Sequence, residues 1–524
     1  MTKVRNVLFI MCDQLRADYL GCNGHPFIKT ANIDWLATKG VNFTKAYAQA
    51  PVCGPSRMSF YTGRYVSSHG ATWNRSPLRV DELTLGHAMM AQGLRAALVG
   101  KSHIVVDTDV LARLGMDPLE DRGRLIAEGG FEPVERDDGV HRDARVAPDL
   151  AYNEFLREHG YGGHNPWHSH ANSADGENGE VLSGWHLRNS GKPARVAEAH
   201  SETAYMTDRA LDFIKAQGDE PWFLHLSYIK PHWPYMAPAH YHSLYSRDHV
   251  IPARKGDIER SAPHAIARVL MDISDSVAFQ NERTRETVIP TYMGLVHQID
   301  DHLGRVFDLL KRTGRMNDTM IVFTSDHGDH LGDHWLADKG MFYESAVRIP
   351  LIIYDPRTSA ESTRGTAIDT LVESIDLFPT FAEATGGAVP HHRLEGESLL
   401  PILTGDATGT ARSAVFSEMD YAFIETRSML NLHLDRATGR MVRTRHWKYV
   451  HFDELEPQLF DLNADPDEIC DLGTDQAYAH VREEMQGLLM DWSLRWKTRV
   501  TVDHDKVTAW LSTGRESGIS KATW

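Results

Sequence analysis

Short apolar runs closed by polar or glycine boundaries recur along the chain, at residues 7–11, 96–99, 222–226, 320–323 and 350–354. Runs this short and this apolar predict strands buried on both faces. Between them the apolar positions repeat at helical spacing. The clearest stripe is Val296, Ile299, Leu303, Val306, Phe307 and Leu310, with Gly314 as the stop signal. Strands alternating with helices predict an α/β chain built on a largely parallel, doubly wound sheet with helices on both faces. Polar clusters follow four of the runs: Cys12-Asp13-Gln14, Gly100-Lys101-Ser102-His103, Lys230-Pro231-His232 and Ser325-Asp326-His327. Ligands of open α/β sheets bind beyond the carboxyl ends of the strands, so these clusters are expected to converge on one site.

The pattern breaks in three places. Residues 105–200 are rich in Gly, Asp, Arg and His and nearly free of periodicity, which reads as a long loop insertion forming a lid or an oligomer contact. A Gly/Pro break at 386–392 and a polar stretch at 404–413 place a boundary near residue 405. The expected domains are therefore 1–405, carrying the sheet and the site, and 406–524, a smaller unit with a strand at 447–452 and a helix over about 477–497. The polar tail 498–524, with Trp510 and the terminal Trp524, is expected to fray or to reach a neighbouring copy.

Composition narrows the function. Charged residues make up 24% of the chain, near the globular average, so wholesale disorder is excluded. The 55 Lys and Arg against 72 Asp and Glu give a net charge of −17, which argues against duplex nucleic acid and anionic membranes as partners. A small anionic substrate in a local basic pocket stays compatible with it. Four scattered cysteines form neither a disulfide framework nor a C-x-x-C metal site, and the apolar run at 7–11 is too short for a signal peptide or a membrane span. A cytoplasmic protein with no membrane segment is the expectation.

The most informative stretch is Cys53-Gly54-Pro55-Ser56-Arg57-Met58-Ser59-Phe60-Tyr61-Thr62-Gly63-Arg64. A lone Cys before Gly-Pro reads as a small apolar residue at a turn, with Pro in the first helical turn. The whole stretch, however, resembles the C-x-P-S-R-x-x-x-x-T-G-R signature of sulfatases, whose cysteine is oxidised to formylglycine. Asn6 to Ile10 with Asp13, Ser325-Asp326-His327-Gly328-Asp329, Gly332-Asp333-His334, Lys339 with Tyr343-Glu344, and Leu459-Phe460-Asp461-Leu462 with Asp465-Pro466 and Glu468 look like further landmarks of that family. The chain thus resembles the sulfatase branch of the alkaline phosphatase superfamily. Gln14, His327 and the residues from Lys448 onward are most similar to its phosphonate monoester hydrolase and arylsulfatase group. The resemblance implies a three-layer α/β/α sandwich with a large mostly parallel sheet, plus a smaller C-terminal α+β domain with an antiparallel sheet.

It also implies a chemistry. A hydrated aldehyde at position 53 carries two hydroxyls on one carbon: one attacks sulfur or phosphorus to give a covalent ester, and loss of the other's proton expels the anion by C–O cleavage and restores the aldehyde. A divalent cation would lower the hydroxyl pKa and neutralise the ester oxygens. By resemblance its ligands are Asp13, Asp326, His327 and the modified Cys53. Where many sulfatases have further carboxylate and amide ligands, this chain has Gln14 and His327; because imidazole suits transition metals, manganese stands beside calcium. The alternative for Asp326-His327 is a helix N-cap pair after a strand.

Cations should surround the anion. Arg57 and Lys101 are expected to hold the aldehyde hydrate, His103 to serve as the base for ester breakdown, His232 to be presented rigidly to the site by the flanking Pro231 and Pro234, Lys339 to sit near the leaving oxygen, and Asn74, by resemblance, to contact the substrate. Taken singly, each reads as a solvated or structural residue, and Asn74 as a turn former. The Lys101 and His103 pair favours an arylsulfatase. Cross-reactivity with phosphonate monoesters and phosphodiesters is expected from shared transition-state charge. Trp73, Trp167 and Trp233 are candidates to floor an aryl pocket, against the commoner fate of core packing. The implied partners are a small anionic ester, a formylglycine-generating enzyme during maturation, and a second copy in a homodimer. The rival readings are a phosphonate monoester hydrolase or phosphodiesterase, an inactive binding protein on the same scaffold, and a two-metal phosphatase; no second metal cluster or Ser/Thr nucleophile supports the last.

Overall fold

A computed structural model of the chain describes residues 4–406 and 412–516. The terminal Trp524, and residues 407–411 of the polar stretch, lie outside the described residues. The large sheet has eight strands: β1 (Asn6–Asp13), β2 (Val41–Phe43), β3 (Arg95–Gly100), β4 (Glu132–Arg136), β5 (Trp222–Pro231), β6 (Thr319–Ser325), β7 (Leu351–Tyr354) and β8 (Thr366–Ile368). Their order is β8-β2-β7-β6-β1-β5-β3-β4. β7 runs against both of its neighbours and every other pairing is parallel. All five apolar runs fall on these strands, with Pro350 just ahead of β7.

Alternation along β1 divides the core. Leu8, Ile10 and Cys12 pack under α2 (Glu202–Ala216) and α3 (Glu282–Arg312), while Val7, Phe9 and Met11 pack on the other face with α1 (Cys53–Thr62) and α4 (Leu377–Ala384). All eight residues of β1 are buried, each large apolar side chain contributing about 1.5–3 kcal/mol. The central strand therefore carries its polar end, Asp13, into the interior with it.

Three elements depart from the sequence pattern. The apolar stripe ending at Leu310 marks only the second half of α3; the helix starts at Glu282, capped by the Asn281 side chain accepting from the Arg283 N–H at 3.0 Å, and passes through Pro290. The stretch 105–200 is more than loop. It supplies β4 at the sheet edge, the helix Ala151–Glu158 and a two-stranded hairpin, Ser173–Asp175 with Val181–Ser183. The tail is not frayed over its described length, since His504–Glu516 is helical.

The C-terminal part forms a separate antiparallel sheet, β9 (Ala414–Asp420), β10 (Thr438–Thr444), β11 (Trp447–Phe452) and β12 (Gln458–Asp461). On one face, Val481, Met485, Leu489 and Trp492 of α5 (Ala479–Ser493) cover Phe416, Val442 and Tyr449. The other face, through Val415, Met441, Val450 and Phe460, packs on Met341, Phe342, Tyr343 and Val347. Buried Lys448 reinforces the joint, its ammonium 3.0 Å from Glu344 and 2.5 Å from Glu468. The smaller sheet thereby braces the segment that begins at Lys339. Among the described residues no helix is long and apolar enough to cross a membrane.

Candidate active site

Cys53 opens α1, with Val52 in extended conformation as the N-cap residue and Pro55 in the first turn, where its missing N–H costs nothing. All ten residues of α1 are buried. The Ser56 hydroxyl donates to the Asp326 carbonyl at 2.6 Å, fixing the helix start against the end of β6. The positive end of α1 thus lies at position 53.

The carboxyl ends of β1 and β6 meet there. Asp13, Cys53, Asp326 and His327 each offer one ligand atom, and these atoms lie within 4.8 Å of one another; all four residues are buried. The Cys53 Sγ is 3.0 Å from His327 Nε2 and 3.7 Å from Asp13 Oδ1. His327 Nδ1 donates to the Gly328 carbonyl at 2.8 Å, which turns Nε2 towards the group. Asp326 Oδ1 accepts from the backbone N–H groups of Gln14 and His327, both at 3.0 Å. Two carboxylate oxygens, one imidazole nitrogen and the Cys53 Sγ form a donor set that fits a divalent cation.

Cations close around this group. Arg57 is fully buried and commits its guanidinium to the carboxylates and the backbone: Nε to Asp326 Oδ2 at 2.8 Å, Nη1 to the Lys101 carbonyl and Ser227 Oγ at 2.7 and 2.8 Å, Nη2 to Asp13 Oδ2 at 3.4 Å. It therefore orients the Asp13 and Asp326 carboxylates, where a grip on the residue-53 hydrate was expected. Lys101 pairs with Asp13 Oδ2. Burial and Cys53 push the Asp13 carboxyl up, but Lys101, His232 and Arg57 hold it at about 2. Burial likewise pushes the Cys53 thiol up, and Lys101, Lys339, His327 and a hydrogen bond from His103 outweigh it, holding it well below the usual thiol range. For His327 burial works against the proton, and Asp326 and Cys53 bring it up to about 9. Position 53 is thus a place where negative charge is stable.

The remaining expected residues complete a ring. Asn74 Oδ1 accepts from the Gly54 N–H at 2.8 Å, so it clamps the start of α1. Lys339 donates to Gln14 Oε1 at 2.7 Å and lies 3.3 Å from both His232 Nε2 and Asp338 Oδ1. Gln14 is itself held by Asp329 at 2.5 Å and Asp338 at 3.0 Å, and Tyr235 donates to the same Asp329 at 2.7 Å. His232 sits on a loop anchored by buried Lys230, which donates to Asn172 and to the Pro234 carbonyl. His103 has a positive φ of 58° and is held by Asp138, which accepts from the Ser102 and His103 N–H groups at 3.1 and 2.9 Å. Its ring Nδ1 is buried without a partner.

Sequence reasoning did not single out Asp138, Ser227 or Asp338. Asp138 follows β4 in the aperiodic stretch, where neither spacing nor a motif marks it. Ser227 lies inside an apolar strand, beside a run that reads as pure core. Among the tryptophans, Trp167 belongs to the core, 1% exposed with its indole N–H on Glu202 at 2.6 Å, so it floors no pocket. Trp73 stacks on Phe423 and Trp233 lies next to His232.

A parallel sheet whose strand ends assemble two carboxylates, an imidazole and a helix-opening cysteine inside a ring of cations defines a hydrolase of the alkaline phosphatase superfamily. Comparison with known proteins makes this specific: the chain belongs to the sulfatase family, whose model matches residues 5–119 and 151–388. A second family model, N-sulphoglucosamine sulphohydrolase, C-terminal, matches residues 332–494. Similar proteins include a multifunctional alkaline phosphatase superfamily protein of Trinickia caryophylli, 33% identical over 95% of this chain and 97% of that one. An arylsulfatase of Clostridium perfringens is 27% identical over 93% of each chain. Among solved structures, the phosphonate monoester hydrolase of Silicibacter pomeroyi superposes with a TM-score of 0.81 at 28% identity, covering 95% of this chain and 96% of its own.

Proposed function

We propose that the protein is a metal- and formylglycine-dependent hydrolase of sulfate monoesters, of arylsulfatase type, that also accepts phosphonate monoesters and phosphodiesters. The observation that carries this reading is the joining of Cys53, at the start of a buried helix, to Asp13, Asp326 and His327 within 4.8 Å. In this reading those residues hold the metal ion, which supplies Lewis acidity and charge neutralisation when bound. Oxidised to formylglycine, position 53 supplies a geminal diol, one hydroxyl for attack and the other for release.

The chain's own residues do the rest. Arg57 fixes Asp13 and Asp326 in place, and Lys101 offsets the anionic charge beside position 53. His103, whose side chain hydrogen-bonds position 53, is the group to take the proton of the second hydroxyl. Lys339, turned by Gln14 and Asp338 towards His232, stabilises the departing oxygen with His232. Maturation by a formylglycine-generating enzyme, a homodimeric state and a cytoplasmic setting belong to the same proposal.

The likeness to phosphonate monoester hydrolases supports a second reading, in which phosphonate monoesters or phosphodiesters are the preferred substrates. A kcat/KM panel on an aryl sulfate, a phenyl phosphonate monoester, a phosphodiester and a phosphate monoester separates the two, with mass spectrometry of the residue-53 peptide run alongside. The aryl sulfate is expected to lead and the peptide to carry the aldehyde. A phosphonate ester in first place selects the second reading, and a phosphate monoester in first place overturns both.

A further inference from the structure

Beside Lys339 and His232 lies a cavity of about 210 Å³. Its walls are Trp185 and Leu187 from the stretch that follows the hairpin, Trp233 from the loop after β5, Phe279, and Asp338 next to Lys339. The two indoles meet edge to face, with ring centroids 5.8 Å apart at 61°. The polar edge of Trp233 is tied down, its N–H donating to Asp338 at 3.3 Å, and the His232 ring packs on it with centroids 4.3 Å apart. On the outer side the Arg142 guanidinium lies over Trp185 at 5.7 Å. Asp275 and Asp338 also line the cavity, so carboxylates outnumber the guanidinium.

Resting on the reading above, the ester's leaving oxygen sits at Lys339 and His232. The group attached to that oxygen then runs past Trp233 and Asp338. We propose that this cavity is the leaving-group subsite, that it takes one flat, uncharged aromatic ring, and that Trp185 and Trp233 are its specificity-determining residues. The size fits: an apolar cavity of about 150 Å³ accommodates benzene, so this one holds a phenyl ring with a small substituent. The chemistry fits as well, because the Trp233 N–H is committed to Asp338 Oδ1, which also meets Gln14 and Lys339, so the indoles offer the ring apolar surface. An anionic ring substituent would face Asp275 and Asp338, with Arg142 as the one opposing cation among the described residues of the lining.

The test compares leaving groups of similar acidity, phenol and hexafluoroisopropanol, each as the sulfate monoester and as the methylphosphonate monoester. Trp185→Ala is expected to lower kcat/KM for both phenyl esters by about 10- to 100-fold, mainly through KM, and for both fluoroalkyl esters by no more than about threefold. Trp185→Phe should retain most of the phenyl activity. Leu187→Trp, which fills the cavity without removing an aromatic wall, should reproduce the selective loss. An equal fall on phenyl and fluoroalkyl esters in Trp185→Ala and Leu187→Trp overturns the proposal. So does a selective phenyl loss in Trp73→Ala instead, which would move the ring to the Trp73–Phe423 stack beside Asn74. If the enzyme cleaves only the phosphonate esters and still discriminates phenyl through Trp185, the sulfate reading fails and the subsite stands.

Discussion

At the scale of single residues the site is an arrangement of charges in which each group is set by its neighbours. Burial alone would push the Cys53 thiol up, yet Lys101, Lys339 and His327 draw it well below the usual thiol range. On the proposed formylglycine mechanism, a serine in its place keeps one oxygen nucleophile and loses the second hydroxyl that releases the product. Cys53→Ser is therefore expected to give a burst of about one equivalent of alcohol per chain and then stall, with the sulfo or phosphono adduct visible by intact mass. Sustained turnover by that variant would place the nucleophile elsewhere. The residues around Cys53 were legible because the motif has many fixed positions in a short span, and because Asp13, Lys101, His232 and Asp326 each follow an apolar strand. Arg57 was legible as a site residue but not in its role: only packing reveals that its donors are spent on Asp326, Asp13, Ser227 and the Lys101 carbonyl. Gln14 stood out only as a departure from the family's usual ligands, and its work, turning Lys339, depends on contacts more than 300 positions away in sequence.

Elements position these charges, and the least regular of them does the most specific work. β4, at the edge of the sheet, ends two residues before Asp138, whose carboxylate accepts from two successive N–H groups of the loop that carries His103 in a left-handed conformation. Arg136 in β4 holds the other carboxylate oxygen at 2.8 Å. Asp138→Ala should free that loop and cost about 1–3 kcal/mol in transition-state stabilisation, roughly 10- to 100-fold in kcat, whereas Asp138→Asn, which keeps an acceptor oxygen, should recover most of it. Equal losses in the two variants would mean that the charge, and not the acceptor, matters. None of this was legible in advance, since a five-residue edge strand with alternating polar positions carries little hydrophobic signal. The matched segments of the sulfatase model also stop at 119 and resume at 151, on either side of β4 and Asp138. The start of α3 was hidden for a different reason: Pro290 reads as a helix breaker, although the tightly packed flanking residues Val288, Ile289, Tyr292 and Met293 keep the helix intact through it. Short, wholly apolar runs bounded by polar clusters marked the central strands, because strands buried on both faces show no alternation.

For the molecule as a whole, the net charge of −17 coexists with a core that keeps several ionisable groups neutral. His69 and His225 are wholly buried on the α1 side of the sheet. The Ala71 N–H donates to His69 Nδ1 at 3.1 Å and His69 Nε2 meets Ser59 Oγ at 3.1 Å; His225 stacks on Phe9 and pairs with the Tyr61 hydroxyl at 3.0 Å. Burial, reinforced by Arg64 for His69 and by Arg57 for His225, lowers each imidazole from 6.5 to about 3. A histidine that is neutral when folded and takes a proton at 6.5 when unfolded contributes stability that is complete above that pH. The contribution is lost progressively as pH falls from 6.5 towards 3, because the unfolded chain binds the extra proton. Other groups oppose this: burial raises Asp300 to about 6 and Glu373 to about 7, and each favours the folded state as pH falls. These terms are common to parent and variant and cancel when the two are compared. Urea unfolding of His69→Asn against the parent between pH 4 and 6.5 should therefore show a variant that is less stable at neutral pH but loses less on acidification, with proton uptake on unfolding smaller by about one near pH 5. Parallel stability curves across that window would mean that His69 enters the fold already charged, which its accepted hydrogen bond from Ala71 and its burial beside Arg64 both oppose.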